Sequence, residues 1–278
     1  LPQVQDIAGV GFQQRVFAAY EALNSALADA PSFPDSVSEQ KGALAGQFIV
    51  SDTLTAEAEP LPVASLLSGA CYLGMDESAE AARAMLRLGR CDFVVNSLDE
   101  ALRILKNELR QHKPVAVCLS GEVPVFIQEM ADRGVAPQLL LHVLSPREYP
   151  ALGRLRETGT KLCETASLTE PIHRPPNASG ELTQWVLPSG NAASLARVDA
   201  VAREVLPETD RARRRWLEAA GRYLPRELPP TRIASFTQHE LQRFADAVSA
   251  RVMSRDVPGP VQITSGSVQM ELDSESAA

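Results

Sequence analysis

Ala70-Cys-Tyr-Leu-Gly-Met75, Val115-Ala-Val-Cys-Leu-Ser120 and Leu139-Leu-Leu-His-Val143 are short apolar runs separated by stretches of helical periodicity. Their rotation decides the fold. Residues 77–88, 98–111 and 123–133 carry the helical pattern, and residues 47–51 supply one more strand upstream. Strand and helix in strict alternation argue for parallel strands joined by crossover helices. Strands buried on both faces read as continuous apolar runs, as these do. The expectation is an α/β protein, a Rossmann-like doubly wound parallel sheet with a mostly helical C-terminal extension. In such a sheet a turn that cradles a pyrophosphate carries glycines. Here the turn after the first strand reads Asp52-Thr-Leu-Thr-Ala-Glu-Ala-Glu-Pro60, with three carboxylates and no glycine.

The 278-residue chain has room for one large or two modest domains. A net charge of −8 disfavours a broad nucleic-acid or anionic-membrane footprint. No run approaches the ~18 apolar residues of a membrane span. Leu1-Pro-Gln-Val-Gln-Asp6 has neither the basic nor the apolar region of a secretion signal, and it lacks an initiator Met, which leaves room for residues upstream. Cys71, Cys91, Cys118 and Cys163 are too widely spaced for a C-x-x-C pair and read as reduced thiols of a cytoplasmic protein. His112, His142, His173 and His239 show no metal-ligand spacing, so no metal site is expected.

Along the chain, residues 1–43 read as an N-terminal helix and linker, with Phe12, Val16, Phe17, Tyr20 and Leu23 on one helical face. Residues 44–150 form the alternating unit. Ser97-x-x-Glu100 and Thr237-x-x-Glu240 have the spacing of capping boxes. Gly89 and Gly134 follow helical runs where a left-handed cap is wanted. Residues 151–182 read as a Pro-rich loop segment with only a short helical possibility over 149–157. Residues 183–264 read as a helical and α/β return segment packing on the same domain. Residues 265–278, rich in Ser and Glu, are expected to be a disordered tail.

Leu44-Ala-Gly46, Gly69-Ala-Cys71, Leu98-Asp-Glu-Ala-Leu102, Gly121 and Arg133-Gly-Val-Ala-Pro137 occur in one unbroken register, which together resembles the cofactor domain of urocanase, the urocanate hydratase of histidine breakdown. The likeness resumes downstream. Gln184-Trp-Val-Leu-Pro-Ser-Gly-Asn191 is similar to the family's R-W-x-x-L-S-G-[DE], Arg215-Trp-Leu217 to its R-W helix, and Pro229-Pro-Thr-Arg-Ile-Ala234 to its L-P-A-R-I-C. Gly11 and Gln14 echo the entry into the domain. Urocanases are considerably longer; flanking core and a large piece between Tyr149 and Ile172 have no counterpart here.

The resemblance implies NAD bound through G-L-G-G-M-G-G-A-Q-P, where this chain has Thr53-Leu-Thr-Ala-Glu-Ala-Glu-Pro-Leu-Pro62. Glu57 and Glu59 would meet two phosphate charges. At ~4 Å and an effective dielectric near 20, each like-charge pair costs on the order of several kcal/mol, enough to erase micromolar affinity. Asp76 stands where a ribose hydroxyl would be held. The family's G-N-A is Gly121-Glu-Val123, and its T-D-Q-T-S-A-H-D-P is Leu141-His-Val-Leu-Ser-Pro-Arg-Glu-Tyr149, which keeps only Ser145. Asp76, Gly121 and Ser145 are therefore the cofactor-binding residues that the resemblance carries over. Ala234 occupies the position of the family's active-site cysteine, so no catalytic residue is carried over.

Local readings stand beside these. Asp76 also fits as the N-cap of the following helix. Glu57, Glu59 and Glu122 fit solvated loop carboxylates better than a cation pocket. Arg211, Arg213, Arg214 and Arg215 fit the wet side of an amphipathic helix, His142 a polar residue at the strand edge, and Trp185 and Trp216 core anchors. The expected function is a urocanase-like protein without hydratase activity or NAD binding, acting as a non-catalytic binding or interaction domain for an unidentified protein partner or small molecule, with a homodimer left open and no nucleic acid or membrane. The alternative is a divergent NAD-dependent lyase acting on urocanate or a related imidazole acid. A new enzyme using Glu122, His142 and Arg147 rests on position alone.

Overall fold

The structure, a computed structural model, describes residues 8–29, 42–143, 149–165 and 180–273. Six strands form one sheet: β1 (Phe48–Ser51), β2 (Cys71–Asp76), β3 (Phe93–Val95), β4 (Ala116–Ser120), β5 (Leu139–His142) and β6 (Lys161–Glu164). Their order is β3-β4-β2-β1-β5-β6, and every neighbouring pair is parallel. The crossovers are α2 (Pro60–Ser68), α3 (Ala79–Arg87), α4 (Leu98–Gln111), α5 (Val123–Asp132) and α6 (Pro150–Glu157), following α1 (Ala8–Ala26).

Side chains alternate across a strand, so each strand feeds two cores. Val50, Leu73, Met75, Val117, Leu119 and Leu140 pack in one cluster with buried residues of α4, α5 and α6. Ile49, Tyr72 and Cys118 point the other way and are as fully buried, where α2 and α3 pack against β2 and β4. Both faces are covered, as the continuous apolar runs require. Two strands lack double burial. β3 and β6 sit at the sheet's two edges: β3, although apolar as Phe93-Val-Val95, leaves Phe93 exposed, and the ends of β6, Lys161 and Glu164, are exposed. Residues 151–182 are thus corrected from a loop segment, because α6 and β6 extend the sheet across their first half; residues 166–179 lie outside the described residues.

Downstream, β7 (Glu181–Val186), β8 (Thr231–Phe236), β9 (Val261–Ser265) and β10 (Val268–Leu272) form a four-stranded antiparallel sheet ordered β10-β9-β7-β8. Helices α7 (Ala192–Val205), α8 (Arg211–Tyr223) and α9 (Gln238–Met253) connect it. The expectation that residues 183–264 belong to the first domain is corrected here. The chain divides into two compact units, and this segment, with residues to Phe17, forms its own. The division falls inside α1, between Phe17 and Ala18, and not at residue 43. The disordered-tail expectation for 265–278 is also corrected over β10, which turns back at Gly266 (φ +53°) and pairs with β9 from Val268 to Leu272. Residues 274–278 lie outside the described residues.

Trp185, Phe236 and Phe244 form the aromatic centre of the second unit, with ring centroids 5.1–6.0 Å apart. The indole N–H of Trp185 donates to Asp199 Oδ1 at 3.1 Å and that of Trp216 to Ile233 O at 2.7 Å, so neither is left unsatisfied. Thr237 and Glu240 make the full capping box that their spacing predicts. Ser97 accepts the Glu100 N–H at 3.3 Å, the first half of that motif.

Candidate functional site

In an open parallel sheet the ligand crevice lies beyond the strand C-termini, where neighbouring strands send their connections to opposite sides. Here that point is between β1, which leads to β2, and β5, which leads to β6. The chain closes this point on itself. Asp52, directly after β1 and buried, accepts the Val143 N–H on both carboxylate oxygens, at 2.9 and 3.1 Å. Its own N–H donates to Leu141 O at 3.0 Å. Ser51 Oγ donates to Thr53 O at 3.0 Å.

The loop that follows leaves few donors for a phosphate. Leu54 N–H donates to Asp76 Oδ2 at 3.0 Å, and Thr55 N–H to Thr53 Oγ1 at 3.3 Å. The N–H groups of Ala58 and Glu59 both donate to Thr55 O, at 3.0 and 3.1 Å. A helix N-terminus binds anions through its free first-turn N–H groups. In α2 that turn begins Pro60-Leu61-Pro62: the two prolines have no N–H, and Leu61 N–H donates to Ala58 O at 3.0 Å. The Leu54 side chain, also buried, lies over Gly74, where an added Cβ would come within 2.4 Å of Leu54 Cδ2. Residues present at this edge do not fit a dinucleotide pyrophosphate.

Asp76 is corrected from an N-cap. Ser78 caps α3, accepting the Ala81 N–H at 3.2 Å, while Asp76 Oδ1 accepts the Ser78 N–H at 2.8 Å and its other oxygen holds Leu54. Gly121 sits beside it, donating its N–H to Asp76 O at 3.0 Å. Glycine is needed there for backbone reasons: φ is +147°, and a Cβ would lie 2.7 Å from Phe126 Cζ. Ser145 and Arg147 lie outside the described residues. Ala234 is fully buried in β8, paired in register with Thr183 of β7.

The carboxylates of the loop do not converge. Glu59 Oε1 accepts from Arg90 Nε and Nη2, both at 3.1 Å, so its charge is neutralised; the repulsion expected from it falls away. Glu57 and Glu122 are exposed. Among the described residues no group of three or more His, Cys, Asp or Glu could hold a metal ion. His142 is buried at the end of β5.

Sequence reasoning missed the structural role of Asp52, although it counted the residue among the loop's three carboxylates. It also passed over Pro60, whose missing donor is visible without any structure. In the second unit it placed Arg213 on a wet helix face. That residue is buried, donating to Asp210 Oδ2 at 2.7 Å, to Ser235 O at 2.8 Å, and to both Glu240 oxygens at 2.8 and 3.0 Å. Asp199 is likewise buried against Arg232, at 3.0 Å, and burial pushes its carboxyl upward against the pull of Arg232 and Trp185.

Comparison with known families agrees with this division of the chain. Residues 34–146 match the urocanase Rossmann-like domain, and residues 178–274 match the urocanase C-terminal domain. The chain belongs to the urocanase family. The matched Rossmann-like region contains the six-stranded sheet up to β5, and the matched C-terminal region contains all four antiparallel strands. The urocanase resemblance read from Gly121, Trp185 and Arg232 therefore holds in both units. Among the described residues no helix is long and apolar enough to cross a membrane.

Proposed function

We propose that this urocanase-family chain has lost NAD binding and hydratase activity and serves as a non-catalytic binding or interaction protein. One observation carries the reading. The N–H groups of Leu54, Thr55, Ala58 and Glu59 in the loop after β1 turn inward to Asp76, Thr53 and Thr55, and the helix behind it opens with Pro60 where the family's loop has alanine. Hydratase chemistry in this family uses NAD as an electrophile toward the imidazole ring, so weak binding of the nicotinamide cofactor removes the mechanism. Ala234 adds to this, since a methyl group offers neither nucleophile nor acidic proton. The partner in this reading is a protein or small molecule other than NAD. The setting is the cytoplasm, where the free thiols of Cys71, Cys91, Cys118 and Cys163 would persist.

A second reading, a divergent NAD-dependent urocanate hydratase-like lyase, draws on the Arg90–Glu59 pair, which removes one of the two negative charges set against a pyrophosphate. Isothermal titration of the full chain with NAD separates the two. The first reading expects no binding below about millimolar concentration, equivalent to roughly −4 kcal/mol. A micromolar dissociation constant, or NAD retained through purification, would make the lyase the favoured assignment.

A further inference from the structure

The second unit contains a cavity of about 440 Å³ between α7, α8 and the segment leading into β8. That size falls within the ~300–1,000 Å³ typical of small-molecule sites. Leu195 and Ala200 of α7, Leu217 of α8, and Leu224 and Pro225 beyond it supply apolar walls. Three charged side chains deeper in the lining set its chemistry: Asp199, Arg232 and Glu227. Two of them satisfy each other, with Arg232 Nε on Asp199 Oδ2 at 3.0 Å and Trp185 on the other oxygen. Glu227 is left over.

Both Glu227 carboxylate oxygens are shielded from solvent, and neither accepts a hydrogen bond. Gln13 and Arg232 lie near enough to favour its charge, but one Gln13 N–H goes to Thr231 O at 3.2 Å and the other stops short of a hydrogen bond with Glu227, while Arg232 directs its Nε to Asp199. A buried carboxylate without a donor forfeits its hydration with nothing in return, and a native structure keeps one for a reason. The remaining charged groups of the lining, Arg203, Glu218 and Arg226, are exposed or half-buried, and Glu218 pairs with Arg215 at 3.8 Å.

We propose that this cavity is a binding site for a small organic cation, an amine or amidine on an apolar body, with the Glu227 carboxylate as its counter-ion. The apolar walls take the body, and the cation's N–H groups supply the donors that Glu227 lacks. Charge-assisted hydrogen bonds of this kind are about twice as strong as neutral ones. The site lies in the C-terminal unit and does not depend on how the sheet edge of the other unit is read.

Benzamidine, benzamide and benzoate are nearly the same shape and differ in charge, which makes them a direct probe. The full chain is titrated with each, following melting temperature and amide chemical shifts. Benzamidine should raise the melting temperature saturably and shift amides around Glu227 and Ala200, while benzamide and benzoate bind at least about tenfold more weakly. Glu227→Gln should lower benzamidine affinity about ten- to hundredfold. Ala200→Leu, which narrows the cavity without touching a charge, should weaken it as well. Absence of saturable benzamidine binding would overturn the proposal, leaving Glu227 a protonated acid that donates to the unpartnered Gln13 Oε1. Equal binding of benzoate, or unchanged affinity in the Gln variant, would overturn it too.

Discussion

Asp76 and Leu54 lie 22 residues apart, yet the Asp76 carboxylate accepts the Leu54 N–H at 3.0 Å. The bond fastens the end of β2 to the loop after β1 and turns that loop's backbone toward its own protein. Asp76 also holds Ser78 N–H, so its loss strands two donors. Asp76→Ala should destabilise the chain by about 1–3 kcal/mol, read as a lower urea midpoint with an unchanged slope. It should not create NAD binding, because the loop still lacks its glycines and Pro60 still lacks an N–H group. Unaltered stability would show that the loop is held by other contacts.

Gly74→Ala should cost about 1–3 kcal/mol, since the new methyl would sit 2.4 Å from Leu54 Cδ2 and 2.9 Å from Tyr72 Cε1. Placed in a Leu54→Ala background, the same change should be much milder, giving a coupling energy of about 0.5 kcal/mol or more. Strict additivity of the two variants would contradict the packing described.

Arg213 is a charged partner shared by Asp210 and Glu240, and its side chain is 8 % exposed against 9 % for that of Glu240. Arg213→Met should destabilise by about 3–5 kcal/mol, because it leaves a buried carboxylate unpaired. Burial raises the Glu240 carboxyl, but Arg213 and the Thr237 N–H outweigh it, and the net shift is downward. A depressed carboxyl stabilises above its unfolded value and loses that contribution as pH falls through its folded one. Wild type should therefore lose stability below about pH 4.3 more steeply than Arg213→Met does, in chemical denaturation across the acid range.

Glu227 has the opposite sign. Burial raises its carboxyl, and Gln13 and Arg232 offset that only in part. An acid raised on folding favours the native state while protonated, below about pH 4.3, and the advantage declines as pH rises through the folded value. Glu227→Gln cannot ionise. Without ligand, its melting temperature should gain on wild type between about pH 4 and pH 7. Parallel pH curves would show that Glu227 is adequately solvated.

Ala234→Cys should not produce urocanate consumption, followed as loss of urocanate ultraviolet absorbance with NAD in excess. Ala234 is fully buried in β8, so a thiol there has no access to substrate, and repairing one member of a catalytic unit recovers little. Turnover by the variant would mean that the rest of the site is intact; turnover by wild type would establish the chain as a working lyase.

The sequence by itself determined the parallel sheet. Its inner strands β1, β2, β4 and β5 are apolar on both faces, a local pattern that needs no knowledge of neighbours, and their helices carry their own caps, as at Ser97. It also determined the family, through motifs preserved around turns and strand starts, and it showed in Pro60 and the missing glycines that the first loop had changed. Edge strands β3 and β6 were not legible, because an exposed three- or four-residue strand exists only through the backbone bonds of its neighbour. Charge was misread for the same reason. Glu59 is neutralised by Arg90, 31 residues on, and Arg213 by Glu240, 27 residues on. Which carboxylates stay free is settled by the crossovers that bring distant side chains together. Only the tertiary structure could leave Glu227 without a donor while satisfying Asp52, Asp76 and Asp199 around their own backbones and cations.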